Sequence, residues 1–391
     1  MNDVLIVSAT RIPIGKFGGT LKEVSDWDMG TIVIAEAMKR AGLKGDEIDE
    51  VIMAHGFRTG DLPANSSRAV ALKAGISIDT PQFTINKACG GSLRAISLAA
   101  QLIKAGEGDI IVAGGMESMS RTAFMITKAR WGYRLGHGQL IDPLVLFDPI
   151  SGYSLGETGE NVAELYKISR EDQDRFALLS QQKAESAIKS NKFKEEIVPV
   201  TVHQDRGTLL IFDTDEHPRF GTTLEALSKL KPAFKKNGTV TAGNASGLND
   251  GASAVVVMSR RKAREMGIHP LVSVRSYASI GVKPEIMGIG PISATQKVLQ
   301  KAGLELKDID LIELNEAFAA QSLAVIRELN FDLERVNVNG GAIALGHPIS
   351  ATGSILLTKM IYEMKRRNSP FGLVTMCIAG GQGIAMVVEN E

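Results

Sequence analysis

The sequence predicts an α/β protein made of two similar halves, each with a mixed sheet, and of a third segment inserted into the first half. Three observations lead to this prediction. Helical and strand-like apolar patterns alternate along the 391 residues. Two distant stretches repeat one motif. After a second pair of matching stretches, the next strand follows directly in the second half but only after a long segment in the first.

The repeated motif is KRAGLKGDEIDEVIMAHG at residues 39–56 and QKAGLELKDIDLIELNEA at residues 300–317. Both stretches run from a helix end through Ala-Gly-Leu and an acidic turn into a strand. The two stretches align without a gap from Ala41 and Ala302 to Ile48 and Ile309. We therefore infer an internal duplication.

A second pair of stretches locates the insertion. Residues 89–115 and 346–381 each read as a small-residue turn, an amphipathic helix and a buried strand that closes on two glycines. The next strand begins at once in the second half, at 381–389, but its counterpart in the first half lies at 249–259. Residues 117–248 therefore enter at a strand end, where open α/β sheets place functional loops.

The predicted division follows from these matches. The first half comprises residues 1–116 and 249–268, the inserted loop domain residues 117–248, and the second half residues 269–391. We expect the halves to stack and the insertion to cover the carboxyl ends of their strands. Ser169 is the expected cap of a long helix within the insertion.

Composition excludes several classes of function. The 44 basic and 44 acidic side chains cancel, so the chain has no field to hold nucleic acid. The amino terminus lacks a signal pattern and the apolar runs are strand-sized, which predicts a cytoplasmic protein with no membrane partner. Two cysteines are too few for a disulfide scaffold, and the six histidines show no ligand spacing, so we expect no metal site.

Cys89 is the first candidate catalytic residue. It follows an expected strand and precedes a helix that should begin near Gly90 or Gly91. Unpaired amides at a helix amino terminus favour the reactive thiolate, and the glycines allow a sharp turn and the close approach of a ligand. A small buried core thiol is the alternative reading, and this motif alone does not separate the two.

His347 lies in a second turn, in NVNGGAIALGHPISATGS at residues 337–354, before a helix that Pro348 can begin. If the halves are pseudo-symmetric, Cys89 and His347 occupy equivalent strand-to-helix turns and face one another. A histidine of near-neutral pKa could then accept the proton of the cysteine. A capping or packing histidine is the alternative.

Two further strand ends carry polar side chains. Cys377 ends a buried strand before a glycine-rich turn, where it is a candidate acid/base, and the amides of Ala379 and Gly380 are candidate oxyanion donors. An ordinary strand cysteine is the alternative. Asn315 either caps the following helix or orients a water or carbonyl.

Two motifs carry little weight. GYSLG at residues 152–156 fits the hydrolase elbow pattern, but no strand leads directly into Ser154. The chain has neither a G-x-G-x-x-G motif nor a P-loop lysine, which disfavours dinucleotide and Walker-type nucleotide sites.

Together these stretches resemble the thiolase family, and its acetyl-CoA acetyltransferases in particular. The resemblance follows the family's order over nearly the whole chain and includes SATRIPIGKFGG, NKACGGSL, AGGMESMS, GETGENVAELYKISREDQD, TVTAGNASGLNDGA, NEAFAAQ, NVNGGAIALGHPISATG and CIAGGQG. It implies a thiolase fold, layered α-β-α-β-α, whose inserted loop domain helps bind coenzyme A. It also implies a homodimer or homotetramer.

The resemblance implies reversible condensation of two acetyl-CoA molecules, or thiolytic cleavage of 3-oxoacyl-CoA, with coenzyme A thioesters as substrates and no bound cofactor. Cys89 would become acylated, His347 would activate it, and Cys377 would move the α-proton. His347 and a water held by Asn315 would form one oxyanion site, and the amides of Cys89 and Ala379 another.

For coenzyme A, the resemblance implies a pantetheine contact at Ser246. It also implies a contact to the nucleotide end at Arg219. The implied walls of the pocket are Ala242, Met287, Phe318 and Leu146. The guanidinium of an arginine suits a phosphate.

The sequence departs from the family along residues 121–153, which match the common pattern only loosely and leave tetramer assembly and pocket shape open, and at two shorter places. Ala379 stands where a glycine is usual, and an L-residue at a positive φ would cost about 1 kcal/mol or more. Ser154-Leu155-Gly156 replaces a common His-Met-Gly, which leaves the preferred acyl length open. A decarboxylating ketoacyl synthase and a non-catalytic acyl-CoA-binding protein are the rival functions.

Overall fold

The computed structural model describes residues 4–57, 59, 65–204 and 207–391. In these residues sixteen strands form: β1 (Val4–Arg11), β2 (Gly15–Lys16), β3 (Glu50–Ala54), β4 (Gln82–Ile85), β5 (Ile110–Ser118), β6 (Met125–Ile126), β7 (Leu140–Ile141), β8 (Phe147–Asp148), β9 (Tyr153–Ser154), β10 (Val200–His203), β11 (Leu209–Phe212), β12 (Asn249–Ser259), β13 (Val272–Gly281), β14 (Leu311–Leu314), β15 (Phe371–Ile378) and β16 (Gln382–Asn390).

Eleven α-helices form in the same part of the chain: α1 (Asp26–Ala41), α2 (Ser66–Lys73), α3 (Gly91–Ala105), α4 (Leu155–Leu165), α5 (Arg170–Lys189), α6 (Leu224–Ser228), α7 (Arg260–Met266), α8 (Gly290–Ala302), α9 (Ala319–Leu329), α10 (Ala342–Leu345) and α11 (Thr352–Arg367).

Each half has a mixed sheet, as the sequence predicts. The first half contributes β4-β3-β5-β12-β1 and the second β13-β16-β15-β14, with β3, β4 and β5 parallel and β14 parallel to β15. The edge strands β1 and β13 pair through Leu5–Ser273 and Ile6–Val272. The strands of the two halves therefore form one continuous sheet, which the sequence pattern does not reveal.

Three layers of helix enclose these sheets. The core between the halves includes Leu93 of α3, Leu357 of α11, Val255 of β12 and Met386 of β16. A second core packs α1 and α2 on the outer face of the first half, and a third packs α8 and α9 on the outer face of the second. The layered α-β-α-β-α prediction is confirmed.

The duplicated motif has the same geometry in both halves. α1 ends at Gly42 and α8 at Gly303, with φ values of 69° and 67°. A left-handed residue is needed there to turn the chain out of the helix, and glycine adopts that conformation without a Cβ clash. A short acidic turn then leads into β3 or β14.

The long strand β12 lies between β1 and β5, although residues 119–248 separate it from β5 in sequence. The pairing supports the proposed division of the chain, whose boundaries stay a prediction. Within the intervening segment the Ser169 hydroxyl accepts the Asp172 amide at 3.0 Å and so caps α5, as expected. No described helix is long and apolar enough to span a bilayer.

Candidate active site

Cys89 and His347 are far apart in the sequence, but both line one cavity of about 570 Å³. The cavity lies between the two halves and the segment 119–248, which supplies much of its wall. The sequence argument had placed these two side chains in equivalent turns facing each other. Both side chains do line one cavity, but His347 follows the short helix α10 (Ala342–Leu345) and not a strand, so it does not lie in the expected strand-to-helix turn.

Cys89 sits in a short turn between β4 and α3, and α3 begins at Gly91, as predicted. The preceding residue, Ala88, has a φ of 42°, a left-handed conformation that is strained for a residue with a Cβ. Two backbone N–H groups, of Ala379 and of Cys89 itself, donate to the sulfur. The turn therefore holds the thiol against two donors at one point of the cavity.

The pKa of the Cys89 thiol differs in direction from the sequence expectation. Burial raises this pKa to about 11, the two N–H donors lower it, and the carboxylate of Glu117 raises it. A helix amino terminus favours a thiolate only through partial charges, which here do not offset the loss of solvation. The free site therefore holds a neutral thiol at pH 7.

Gly90 and Gly91 have a role other than the expected approach of a ligand. A Cβ on Gly90 would lie 2.4 Å from Cδ1 of Ile378, and one on Gly91 would lie 2.8 Å from Cβ of Ala54. Neither residue has a positive φ. The glycines let α3 start in contact with β3 and β15, which sets the position of Cys89.

His347 is fixed by its neighbours in a single tautomer. The Thr352 hydroxyl donates to the Pro348 carbonyl at 3.0 Å, so its oxygen accepts the Nδ1–H of His347 at 2.6 Å. This assignment leaves Nε2 with a lone pair, and Nδ2 of Asn315 lies 3.5 Å from it. Burial lowers the pKa of His347 to about 4, so the imidazole is neutral at pH 7.

The backbone of His347 is anchored by β12. Oδ1 of Asn249 accepts the His347 amide at 2.9 Å, and Nδ2 donates to the Gly15 carbonyl at 2.9 Å. Nδ2 of Asn249 also lies 3.2 Å from Nδ1 of His217, a half-buried side chain whose pKa is lowered to about 4 by partial burial. Asn249 therefore ties the His347 turn to β2 and to His217 of the intervening segment.

Cys377 and Asn315 lie behind the cavity wall and are not among its lining residues. Cys377 packs against Met287 and Phe318, which do line the cavity. Burial raises the pKa of the Cys377 thiol, and the neighbouring Cys89 raises it further. Cys377 is thus a fully buried, neutral thiol beside Cys89.

The alanine at position 379 does not strain its turn. Positive φ values fall at Gly380 and Gly381, at 81° and 82°, while Ala379 is outside the left-handed region. The conformational cost anticipated for a side chain here therefore does not arise. The amide of Ala379 points at the Cys89 sulfur, as a candidate oxyanion donor should.

All six residues expected to contact coenzyme A line the same cavity as Cys89: Leu146, Arg219, Ala242, Ser246, Met287 and Phe318. The side chain of Arg219 is exposed at the mouth. Most of the other lining side chains are apolar, as expected for a pocket that takes an acyl group and a pantetheine arm. Their roles as contacts stay a prediction.

Sequence reasoning missed three residues that position the site. They are Thr352 and Asn249, described above, and Glu117, whose carboxylate accepts the amides of Gly56, Phe57 and Ser350. Thr352 stands five positions after His347, outside the three- and four-residue spacings at which side chains meet on a helix, so no local spacing signals this contact. Asn249 and Glu117 act across the tertiary fold.

Ser154 is a helix cap. Its hydroxyl bonds a Glu157 carboxylate oxygen at 2.8 Å, and its amide donates to the same oxygen at 2.7 Å at the start of α4. This capping box explains the GYSLG sequence without a nucleophilic serine. Within the described residues, no group of three or more His, Cys, Asp or Glu side chains is arranged to hold a metal ion.

Two family models match the chain in succession. The model described as "Thiolase, N-terminal domain" covers residues 4–261, and that described as "Thiolase, C-terminal domain" covers residues 268–390. A protein from Syntrophomonas wolfei named acetyl-CoA acetyltransferase is 54% identical over 99% of both chains. One of the same name from Pseudomonas aeruginosa is 51% identical over 100% of both.

Solved structures show the same fold. The Bacillus anthracis acetyl-CoA acetyltransferase superposes with a TM-score of 0.97 at 46% identity, covering 100% of this chain and 99% of that one. Human mitochondrial 3-ketoacyl-CoA thiolase in complex with CoA gives a TM-score of 0.96 at 41% identity, covering 99% and 98%.

Proposed function

The chain belongs to the thiolase family, and we propose that it is an acetyl-CoA C-acetyltransferase. It condenses two acetyl-CoA molecules to acetoacetyl-CoA and coenzyme A, or cleaves 3-oxoacyl-CoA with coenzyme A in the reverse direction. The observation that carries the proposal is the meeting of four groups. Cys89 and His347 line one cavity, the Ala379 amide lies on the Cys89 sulfur, and Cys377 lies beside it.

In the first half-reaction, the sulfur of Cys89 attacks the thioester carbonyl of acetyl-CoA while Nε2 of His347 accepts the thiol proton. The tetrahedral intermediate collapses, the carbon–sulfur bond to coenzyme A breaks, and the departing sulfur takes the proton from His347. The acetyl group then rests on Cys89 as a thioester of similar energy. Thr352 supports this role because it keeps the proton on Nδ1 and the lone pair on Nε2.

The pKa directions favour proton transfer at the moment of attack. Burial raises the pKa of Cys89 to about 11 and lowers that of His347 to about 4. A resting thiolate–imidazolium pair would place two charges where both are poorly solvated. The attacking thiol and the base are therefore both neutral until the substrate arrives.

In the second half-reaction, His347 takes the thiol proton of Cys377, the Cys377 thiolate removes an α-proton from a second acetyl-CoA, and the resulting carbanion attacks the acetyl carbon on Cys89. The bond to the Cys89 sulfur breaks, and that sulfur regains the proton held by His347, while Cys377 keeps the α-proton. The enolate oxygen faces His347 and a water held by Asn315. The buried Oδ1 of Asn315 has no hydrogen-bond partner among the described residues, which supports a water-binding role.

The amides of Cys89 and Ala379 form the second oxyanion site. Both donate to the sulfur in the free enzyme, and in the proposed acyl-enzyme they donate to the acyl oxygen. Fixed backbone donors in a buried site stabilise developing negative charge without reorganising. Ser246 would contact the pantetheine arm and Arg219, at the mouth, the phosphates of coenzyme A.

The proposal includes a homodimer or homotetramer in the cytoplasm. Large apolar side chains are exposed along residues 124–153, including Trp131 at 88% and Leu135 at 96%. A monomer rarely exposes so much contiguous apolar surface, and such patches are typical of subunit contacts. Sedimentation equilibrium of the purified chain measures the assembly directly.

The ketoacyl synthase alternative is disfavoured by the second thiol. Decarboxylation would create the carbanion without a base, whereas here Cys377 lies next to Cys89 and supplies one. Acetoacetyl-CoA thiolysis by the wild-type chain and by Cys89→Ala tests the proposal. We expect turnover by the wild type alone; condensation that depends on malonyl-CoA, or full thiolysis by Cys89→Ala, would contradict it.

A further inference from the structure

A second cavity, of about 130 Å³, opens away from the site described above. It is lined by Arg94, Ser97 and Gln101 of α3, Tyr277, Ala278 and Ser279 of β13, Lys297 and Lys301 of α8, and Ile384 of β16. It shares no lining residue with the larger cavity. Three of its lining side chains are cations and none is a carboxylate.

Two more cations, Lys104 and Lys87, lie beside this cavity. The ammonium group of Lys104 lies 5.6 Å from the centre of the Tyr277 ring, as does that of the lining residue Lys301. Lys87 reaches β16, the strand that supplies Ile384 of the cavity, and the nearby charge of Arg94 lowers the pKa of Lys87 in addition to burial. Lys87 bonds the neutral side chain of Gln382.

These five cations have only neutral partners in the described part of the chain. Nη1 of Arg94 donates to the Ser97 hydroxyl at 3.1 Å, and Lys301 donates to the Tyr277 carbonyl at 3.1 Å. Most other basic residues of this electroneutral chain have a carboxylate within reach, such as Arg366 with Glu363 at 2.7 Å. A cluster of unpaired like charges is repulsive, and an anion relieves that repulsion.

We propose that this cavity binds a small oxyanion, of the size and charge of inorganic phosphate or sulfate. Arg94 presents a planar fork suited to two oxygens, and Lys297 and Lys301 supply point charges from the facing helix. The volume is too small for a nucleotide or for coenzyme A. The bound anion joins α3, which begins two residues after Cys89, to β16 and α8 of the second half.

The test measures binding of inorganic phosphate by titration calorimetry and thermal unfolding of the full chain, at constant ionic strength with chloride as the balancing anion. The variant Lys297→Gln/Lys301→Gln removes two exposed charges from the cavity. The matched control, Lys39→Gln/Lys307→Gln, removes two lysines that are 78% and 74% exposed elsewhere. Each protein is also titrated with coenzyme A present.

We expect saturable phosphate binding and a rise in unfolding temperature for the wild type and the control. The cavity variant should bind phosphate at least about tenfold more weakly, and without phosphate it should unfold no earlier than the wild type. Coenzyme A should leave phosphate binding unchanged. An equal response of all three proteins, or displacement of phosphate by coenzyme A, would overturn the proposal. So would a cavity variant that changes the assembly state and not phosphate binding.

Discussion

The two halves differ most in the connection between their last two strands. In the first half, residues 119–248 separate β5 from β12, whereas in the second only residues 379–381 separate β15 from β16. The long connection supplies much of the substrate cavity, including Leu146, Arg219 and Ser246. The short one supplies a single amide, at Ala379, to the Cys89 sulfur.

This difference separates binding from chemistry. A tight turn fixes a backbone donor with little freedom, which suits a group that must stabilise charge in the transition state. A long loop domain can shape a large surface around a substrate but fixes each contact less rigidly. Changes near the short turn should therefore lower kcat, and changes in the long connection should mainly raise KM.

His347→Asn should have the largest effect, because it removes the base that the second half presents to Cys89. We expect acylation of Cys89 by acetyl-CoA to slow by about 10²–10⁴-fold, the usual contribution of general base catalysis. Rapid-quench measurement of acetyl transfer checks this. Unchanged acylation would show that Cys89 is activated by another group.

The pH dependence of Cys89 alkylation by iodoacetamide sharpens this prediction. Below a pKa of about 11 the thiolate fraction rises with pH, so the alkylation rate should rise about tenfold per pH unit between pH 6 and 9. His347, with a pKa lowered to about 4, stays neutral throughout this range and adds no step. A rate that reaches a plateau near neutral pH would indicate a preformed thiolate instead.

Ala379→Pro should have the next largest effect. Proline removes the amide hydrogen that points at Cys89, and loss of one oxyanion donor costs about 10²–10³-fold in kcat. Ala379→Gly, which keeps the amide, is the matched control and should retain activity. If both variants lose activity equally, the shape of the turn matters and the amide does not.

Thr352→Val should have a smaller effect, because it removes the acceptor that holds His347 in one tautomer but keeps the imidazole. We expect kcat to fall by about tenfold, in line with the loss of one buried hydrogen bond to an essential group, with little change in KM. Thr352→Ser should restore kcat. A loss of thermal stability with unchanged kcat would show that Thr352 serves packing alone.

Ser246→Ala tests the long connection and should have the smallest effect. One hydrogen bond to an uncharged part of the substrate contributes about 0.5–1.5 kcal/mol, so the KM for acetyl-CoA should rise a few-fold while kcat holds. Steady-state kinetics at varied acetyl-CoA measures both. A fall in kcat at constant KM would place Ser246 with the chemical groups instead.

The sequence predicted the parts of the site that are local to a strand end. Cys89, Asn315 and Cys377 each follow or end a strand, so the alternating pattern and the duplication were enough to bring them to one region, whereas His347 follows the short helix α10. The same alternating pattern and duplication also predicted the layered fold, which the structure confirms. The start of α3 at Gly91 also followed from local pattern.

What the sequence could not predict depends on packing across the fold. Asn249 reaches the His347 amide from β12, and Glu117 joins three loops, contacts that no spacing announces. The raised pKa of Cys89 depends on burial in a core that both halves build. The pairing of β1 with β13 likewise joins strands with no shared sequence signal.

Mapping the acetyl group tests the central claim most directly. The chain is mixed with acetyl-CoA, quenched in acid and digested, and the peptides that contain Cys89 and Cys377 are analysed by mass spectrometry. Our account predicts acetylation of Cys89 in the wild type, the same acetylation in Cys377→Ala, and none in Cys89→Ala. Acetyl transfer to Cys377, or an unmodified Cys89 in an active enzyme, would contradict it.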